Sequence, residues 1–123
     1  MSNDSPKAGF QQRKGRVIKA YKSACPDPLV VKAGEELAVE DKESKWSGWI
    51  WCTNKQGRNG WVPERYVERN GDTCNALRDY DAAELSARVG EKLSIIFEES
   101  GWVWCTRRNG EKGWIPLENI EVL

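Results

Sequence analysis

The chain contains no histidine. That absence removes the commonest general base near neutral pH and the commonest metal ligand. Histidine-dependent triads and most zinc enzyme sites go with it. Net charge is missing too: nineteen Lys plus Arg cancel nineteen Asp plus Glu. A dedicated nucleic-acid binder needs a basic surplus to displace counterions, so that class is disfavoured. Apolar residues make up 39% of the 123, below the roughly 45–50% of an average globular chain. No stretch approaches the roughly 20 apolar residues that span a bilayer. The polar start, Met1 to Arg16, lacks the apolar run of an export leader. Together these predict a cytoplasmic location and no membrane partner. The four cysteines, at 25, 52, 74 and 105, form no C-x-x-C pair, and no metal or other cofactor is expected. Free thiols in a reducing compartment are the expectation. Cys25 and Cys74, one in a loop and one at a strand start, are the single pair left open to a bridge.

What the chain has in excess is tryptophan, seven against two Phe and three Tyr. Trp is hard to bury fully and is favoured at recognition surfaces. A neutral, histidine-free, Trp-rich chain reads as a binding protein rather than an enzyme.

An internal repeat organises the sequence. Residues 48–63 and 101–116 align without a gap at an offset of 53. Gly48, Trp49, Trp51, Cys52, Thr53, Gly57, Gly60, Trp61 and Pro63 recur as Gly101, Trp102, Trp104, Cys105, Thr106, Gly110, Gly113, Trp114 and Pro116. Upstream, Gly34-Glu35-Glu36-Leu37 resembles Gly90-Glu91-Lys92-Leu93, with a three-residue insertion in the first copy placed within Asp41–Ser47. Two units of about 50 residues follow a polar, basic tail over 1–16, expected to be disordered.

Each unit reads as short strands bounded by Gly, Asn and charged turns. Candidate strands are 17–21, 36–40, 48–53 and 60–62 in the first copy, and 75–80, 92–97, 101–106 and 113–115 in the second. No ten-residue window shows helical periodicity. A unit this small gains most by closing its sheet into a barrel. The strand period puts Ile50 with Cys52, and Val103 with Cys105, on the core face. Trp49 with Trp51, and Trp102 with Trp104, then lie on the other face near solvent. They serve recognition, cover a barrel edge, or pack between the copies.

These features resemble Src homology 3 (SH3) domains, whose order of motifs is A-L-Y-D-Y, L-S-F-x-x-G-E-x-L, W-W-x-A and G-Y-I-P-x-N-Y-V. The second copy has Ala76-Leu77-Arg78-Asp79-Tyr80, Leu85-Ser86-Ala87-Arg88-Val89-Gly90-Glu91-Lys92-Leu93, Trp102-Val103-Trp104-Cys105 and Gly113-Trp114-Ile115-Pro116-Leu117-Glu118-Asn119-Ile120. The first has Val17-Ile18-Lys19-Ala20-Tyr21, Leu29-Val30-Val31-Lys32-Ala33-Gly34-Glu35-Glu36-Leu37 and Gly60-Trp61-Val62-Pro63-Glu64-Arg65-Tyr66-Val67. The resemblance covers nearly all of 17–123. It implies an all-β chain of two small five-stranded barrels in tandem, at 17–68 and 73–123. It also implies grooves that accept proline-rich peptides in the polyproline II conformation, beside an acidic loop that selects a basic residue. The groove positions that match are Tyr21, Trp49, Trp61, Pro63 and Tyr66 in the first copy, and Tyr80, Trp102, Trp114 and Pro116 in the second. Lys19 and Arg78 replace the first tyrosine of the opening motif, and Asn119 replaces the last tyrosine. The specificity-loop acids are Asp27 in the first copy and Asp81, Glu84, Glu98 and Glu99 in the second.

Residues 72–123 hold six Lys plus Arg and ten Asp plus Glu, a net of −4, whereas 17–68 holds eight of each. The second groove is therefore the one expected to favour a basic ligand. The linker 68–73 spans at most about 20 Å, which makes the barrels near neighbours. The function expected is a non-enzymatic protein–protein interaction module that binds proline-rich or related extended peptides. The alternatives are a self-associating scaffold with vestigial grooves and, more remotely, a small barrel that binds nucleic acid. The expected partner is a protein or peptide, with no nucleic acid.

Overall fold

The computed structural model describes residues 13–23 and 27–123. Cys25, and the first twelve residues of the expected tail, lie outside them. Twelve strands are present among the described residues: β1 Arg13–Val17, β2 Val30–Val31, β3 Glu36–Glu40, β4 Trp49–Thr53, β5 Asn59–Pro63, β6 Val67–Asn70, β7 Thr73–Ala76, β8 Tyr80–Asp81, β9 Lys92–Glu99, β10 Trp102–Thr106, β11 Lys112–Pro116 and β12 Ile120–Val122. Single 3-10 turns at Glu64–Tyr66 and Leu117–Asn119 link β5 to β6 and β11 to β12. No helix among the described residues is long and apolar enough to cross a membrane. The all-β class and the two SH3-like barrels are as expected.

The repeats and the folded units do not coincide. One five-stranded sheet runs β5-β4-β3-β7-β6 and the other β11-β10-β9-β1-β12. The opening strand of the second repeat, β7, therefore belongs to the sheet of the first repeat, and β1 belongs to the sheet of the second. One compact unit is continuous, residues 24–83; the other is split between residues 1–23 and 84–123. We call them the continuous and the split barrel. The chain passes between them at 23–24 and 83–84, within the loops that follow Tyr21 and Tyr80. The compact units thus divide the chain differently from the repeats read at 17–68 and 73–123, with the opening segments exchanged between them.

The tight connection between β6 and β7 supplies a local reason. Only Gly71 and Asp72 separate the two strands, which pair antiparallel from Asn70↔Thr73 to Val67↔Ala76. Gly71 has φ 70°, in the position that type II′ hairpin turns reserve for glycine. The six-residue stretch read as a linker is mostly strand. It folds β7 back onto β6, where an extended linker was expected to carry it onward.

Most core positions follow the strand periodicity, but Ile50, expected on the core face, is only half-buried while Trp49 is buried. In the split barrel Val17, Leu85, Ala87, Leu93, Ile95, Val103, Cys105, Ile115 and Ile120 form the buried core. Val17 is the first repeat's contribution to a core otherwise built by the second. In the continuous barrel Leu29, Val31, Leu37, Cys52, Val62 and Cys74 are almost fully buried. Strand β1 begins four residues earlier than expected, so Arg13–Arg16 is strand and not tail. It pairs on one side with β9 and on the other with β12. Arg16 meets Glu121 across the second pairing at 3.1 Å. The turn between β9 and β10 is the tight hairpin Ser100-Gly101, both at positive φ (46° and 92°). The matching loop in the first copy carries the insertion, 41–48, and Lys42 lies 3.8 Å above the Trp51 ring.

The described cysteines Cys52, Cys74 and Cys105 are free thiols and fully buried. The Sγ atoms of Cys52 and Cys74 are 3.9 Å apart. Their strands lie on opposite sides of β3. Two strand spacings amount to about 9–10 Å of backbone separation, beyond the roughly 7 Å that a disulfide tolerates.

Candidate functional site

Each barrel gathers an aromatic cluster from residues that the resemblance named, and each cluster draws on both repeats. In the continuous barrel Trp49 stands opposite Pro63 in the β4–β5 register. The 3-10 turn after Pro63 brings up Tyr66, whose ring meets Tyr80 edge-on at 5.6 Å. Tyr80 comes from the second repeat and donates its hydroxyl to the Trp61 carbonyl at 2.9 Å. The Arg78 guanidinium lies 4.3 Å over the Tyr66 ring, a cation–π contact. In the split barrel Trp102 stands opposite Pro116. Tyr21, from the first repeat, meets Trp102 edge-on at 5.7 Å and donates its hydroxyl to Glu84 at 2.6 Å. Asn119 is buried, and its amide donates to the carbonyls of Lys19 at 3.1 Å and Ala20 at 3.2 Å.

The two substitutions at the first tyrosine therefore act differently. Arg78 covers an aromatic ring; the backbone of Lys19 is held by the residue that replaced the last tyrosine. In both barrels a contact within the chain occupies this end of the cluster.

Tyr21 was expected beside Trp49 and instead sits beside Trp102. Tyr80 was expected beside Trp102 and instead joins Tyr66 and Trp61. The specificity-loop acids divide as well. Asp27 and Asp81 lie in the continuous barrel, Glu84, Glu98 and Glu99 in the split one. Asp81 accepts the Ala83 N–H at 2.9 Å. Glu99 is only 5% exposed and accepts the Ser100 hydroxyl at 3.1 Å, so it is no rim carboxylate.

Exchange also reverses the charge reading. The continuous unit, residues 24–83, holds eight Lys plus Arg against eleven Asp plus Glu, a net of −3. The split unit holds eleven against eight, a net of +3. The cluster around Trp49, not that around Trp102, lies in the acidic barrel.

The tryptophans are more covered than the strand period suggested. Trp49 and Trp102 are each 8% exposed and Trp114 3%. Pro63 opposite Trp49, and Pro116 opposite Trp102 with Tyr21 packed on it, cover the first two; Trp104 and Phe97 pack on Trp114. Trp51, Trp61 and Trp104 remain half-buried. Cross-strand pairs stack edge-on: Trp51 with Trp61 at 5.1 Å, Trp104 with Trp114 at 5.3 Å, and Phe97 with Trp114 at 5.4 Å. Phe97 was not among the expected site residues, although it precedes Glu98 and continues this aromatic face.

Burial raises the pKa of Cys52, Cys74 and Cys105, the last to about 12. Tyr21 is raised by burial first, then by its bond to Glu84 and that carboxylate's charge. The folded state keeps protons that the unfolded chain releases above its ordinary thiol and phenol values. Stability is therefore full below those values and is lost as pH rises through them. Urea midpoints measured at steps from about pH 8 upward should fall steadily; a flat profile would contradict the burial of these groups.

The chain matches the variant SH3 domain family twice, over residues 14–69 and 72–123. It is 21% identical over 128 residues to an SH3 and F-BAR domain-containing protein of Dictyostelium discoideum, covering 89% of this chain and 24% of that one. It is 30% identical over 83 residues to SH3 and PX domain-containing protein 2B of Homo sapiens, 63% of this chain and 9% of the relative. Over 52 residues it is 42% identical to proline-serine-threonine phosphatase-interacting protein 1 of Mus musculus, 39% of this chain and 12% of the relative. The chain thus spans at most about a quarter of these relatives' length. With both repeats matched in order and two small barrels formed between them, the chain belongs to the variant SH3 domain family.

Proposed function

We propose that the chain is a non-enzymatic protein-interaction module that binds extended, proline-containing peptides along two aromatic clusters, one in each barrel. The observation that carries this reading is the recurrence of one arrangement in both barrels: a Trp opposite a Pro across a β-hairpin, with a tyrosine from the other repeat completing the cluster. Flat aromatic walls suit a polyproline II ridge, which is already extended and costs little entropy to order. The acidic continuous barrel favours a basic ligand, and the basic split barrel an acidic or neutral one. A cytoplasmic setting belongs to this reading.

The test is titration of the isotope-labelled chain with proline-rich and proline-free peptide libraries, followed through the indole resonances. Trp49→Ala should weaken a basic proline-rich peptide about thirtyfold, the effect of losing roughly 2 kcal/mol at an interface tryptophan. Added salt should weaken the same complex. If no peptide in either library shifts an indole resonance, the grooves are not binding sites and the reading fails.

A further inference from the structure

Residues at one register position differ in size between the two barrels, and the differences compensate. Gly15 on β1 pairs with Leu93 and Val122; Cys74 on β7 pairs with Leu37 and Arg69. Gly15 and Cys74 are therefore equivalent, as are Ile95 and Val39, and Ile120 and Val67. A Cβ at Gly15 would lie 2.7 Å from Ile120 Cγ2 and 2.9 Å from Ile95 Cδ1. The split barrel thus combines two isoleucines with no side chain on the inserted strand. The continuous barrel combines two valines with a cysteine.

In a sequence-ordered tandem each match would be broken. Cys74 would meet Ile95 and Ile120, where even one Cβ clashes, and Gly15 would leave a void beside Val39 and Val67. Surface charge pulls the other way. In the ordered pairing Arg16 would lie opposite Glu36 and Glu68, whereas in the structure those positions face Asn75 and Arg16 faces Lys92 and Glu121. Exposed ion pairs shift such an equilibrium only about two- to fivefold. Overfilling a packed core shifts it roughly five- to 150-fold, so packing decides.

We propose that this steric match fixes the exchange of opening segments, and that each binding cluster is therefore a joint product of both repeats: the tandem, not the single repeat, is the binding unit. The binding half of this statement rests on the peptide-binding reading above; the exchange half does not.

The full chain with Cys25→Ser supplies the test. In it, Glu36→Cys with Asn75→Cys places two exposed thiols opposite each other across β3 and β7. Under mild oxidation that pair should cross-link. Lys92→Cys with Asn75→Cys, opposed only in a sequence-ordered tandem, should not. Nuclear Overhauser contacts from Cys74 to Leu37 support the exchange without any cross-link. Contacts from Cys74 to Leu93, or cross-linking through Lys92→Cys, overturn it. Exchanging the sizes, with Gly15→Ala and Cys74→Gly together, should move cross-linking from the first pair to the second by at least about fivefold. An unchanged pattern would overturn the steric match as the cause. For binding, Tyr21→Ala should weaken the peptide reported by Trp102, and Tyr80→Ala the one reported by Trp49. If Tyr21→Ala instead weakens the peptide reported by Trp49, the joint assembly is wrong. If the cross-links form as expected and no peptide binds, only the ligand reading is lost.

Discussion

Gly113→Ala should destabilise the split barrel by about 3 kcal/mol, while the same change at Gly60, its counterpart in the first repeat, should be nearly neutral. A Cβ at Gly113 would stand 2.8 Å from the Leu85 backbone nitrogen and 2.9 Å from the Glu84 carbonyl carbon. Those are main-chain atoms held by the bond from the Leu85 N–H to the Trp114 carbonyl at 3.0 Å, so they cannot give way as a side chain can. At Gly60 the nearest atom is the Ala82 Cβ at 3.2 Å, followed by the Leu29 Cβ at 3.5 Å. The smaller crowding there is offset by the entropy that an alanine removes from the unfolded strand. On a unit of this size the Gly113 effect corresponds to a fall in melting temperature of roughly 10–20 °C. Thermal denaturation of both variants decides the matter: equal shifts would mean that the close approach at Gly113 is not real.

Replacing Asn119 by alanine, which removes the amide donors, should cost roughly 2 kcal/mol. The buried Asn119 amide serves two backbone carbonyls, and each hydrogen bond lost is worth about 0.5–1.5 kcal/mol net when water can reach the acceptor left behind. Those carbonyls belong to Lys19 and Ala20, just before Tyr21. The same change should therefore loosen the contact of Tyr21 with Trp102. Hydrogen exchange separates the two barrels. Amides of β1, β9 and β12 should exchange faster, while those of β4 and β5 keep their protection. Uniform acceleration, or none, would refute this role for Asn119.

The sequence made individual positions legible and their partners much less so. The offset of 53, with period-two alternation, placed Cys52 and Cys105 in core strands and Gly57 and Gly110 in the turns, where both have positive φ. It also placed the inserted loop before Trp49. Strand β1 escaped notice because Arg13-Lys14-Gly15-Arg16 has the composition of a solvated tail. Its strand character comes from neighbours on both sides, a tertiary effect that outweighs intrinsic preference. The exchange escaped for a different reason. A repeat shows that Tyr21 and Tyr80 occupy the same place in a barrel, yet not which barrel. That error set Tyr21 beside Trp49 when it sits beside Trp102, and it gave the acidic character to the barrel of Trp102 when the barrel of Trp49 carries it. The compensating sizes at Gly15 and Cys74 were in the sequence throughout, but they acquire meaning only once the register names their neighbours.

The nesting of a continuous barrel inside a split one also sets an order of events during synthesis. The continuous barrel can close as soon as residue 83 is clear of the ribosome. Strand β1 is made first and is completed last, since Arg16 must wait for Glu121, 105 positions later. At roughly 5–20 residues per second that is a delay of about 5–20 s, and until β9 is made the nascent strand has no partner in its own barrel. Three of its five residues are cationic, and like charges on a waiting strand oppose pairing with copies of itself on neighbouring chains. The basic character of β1, of little account in the finished fold, is then a safeguard of the nascent chain.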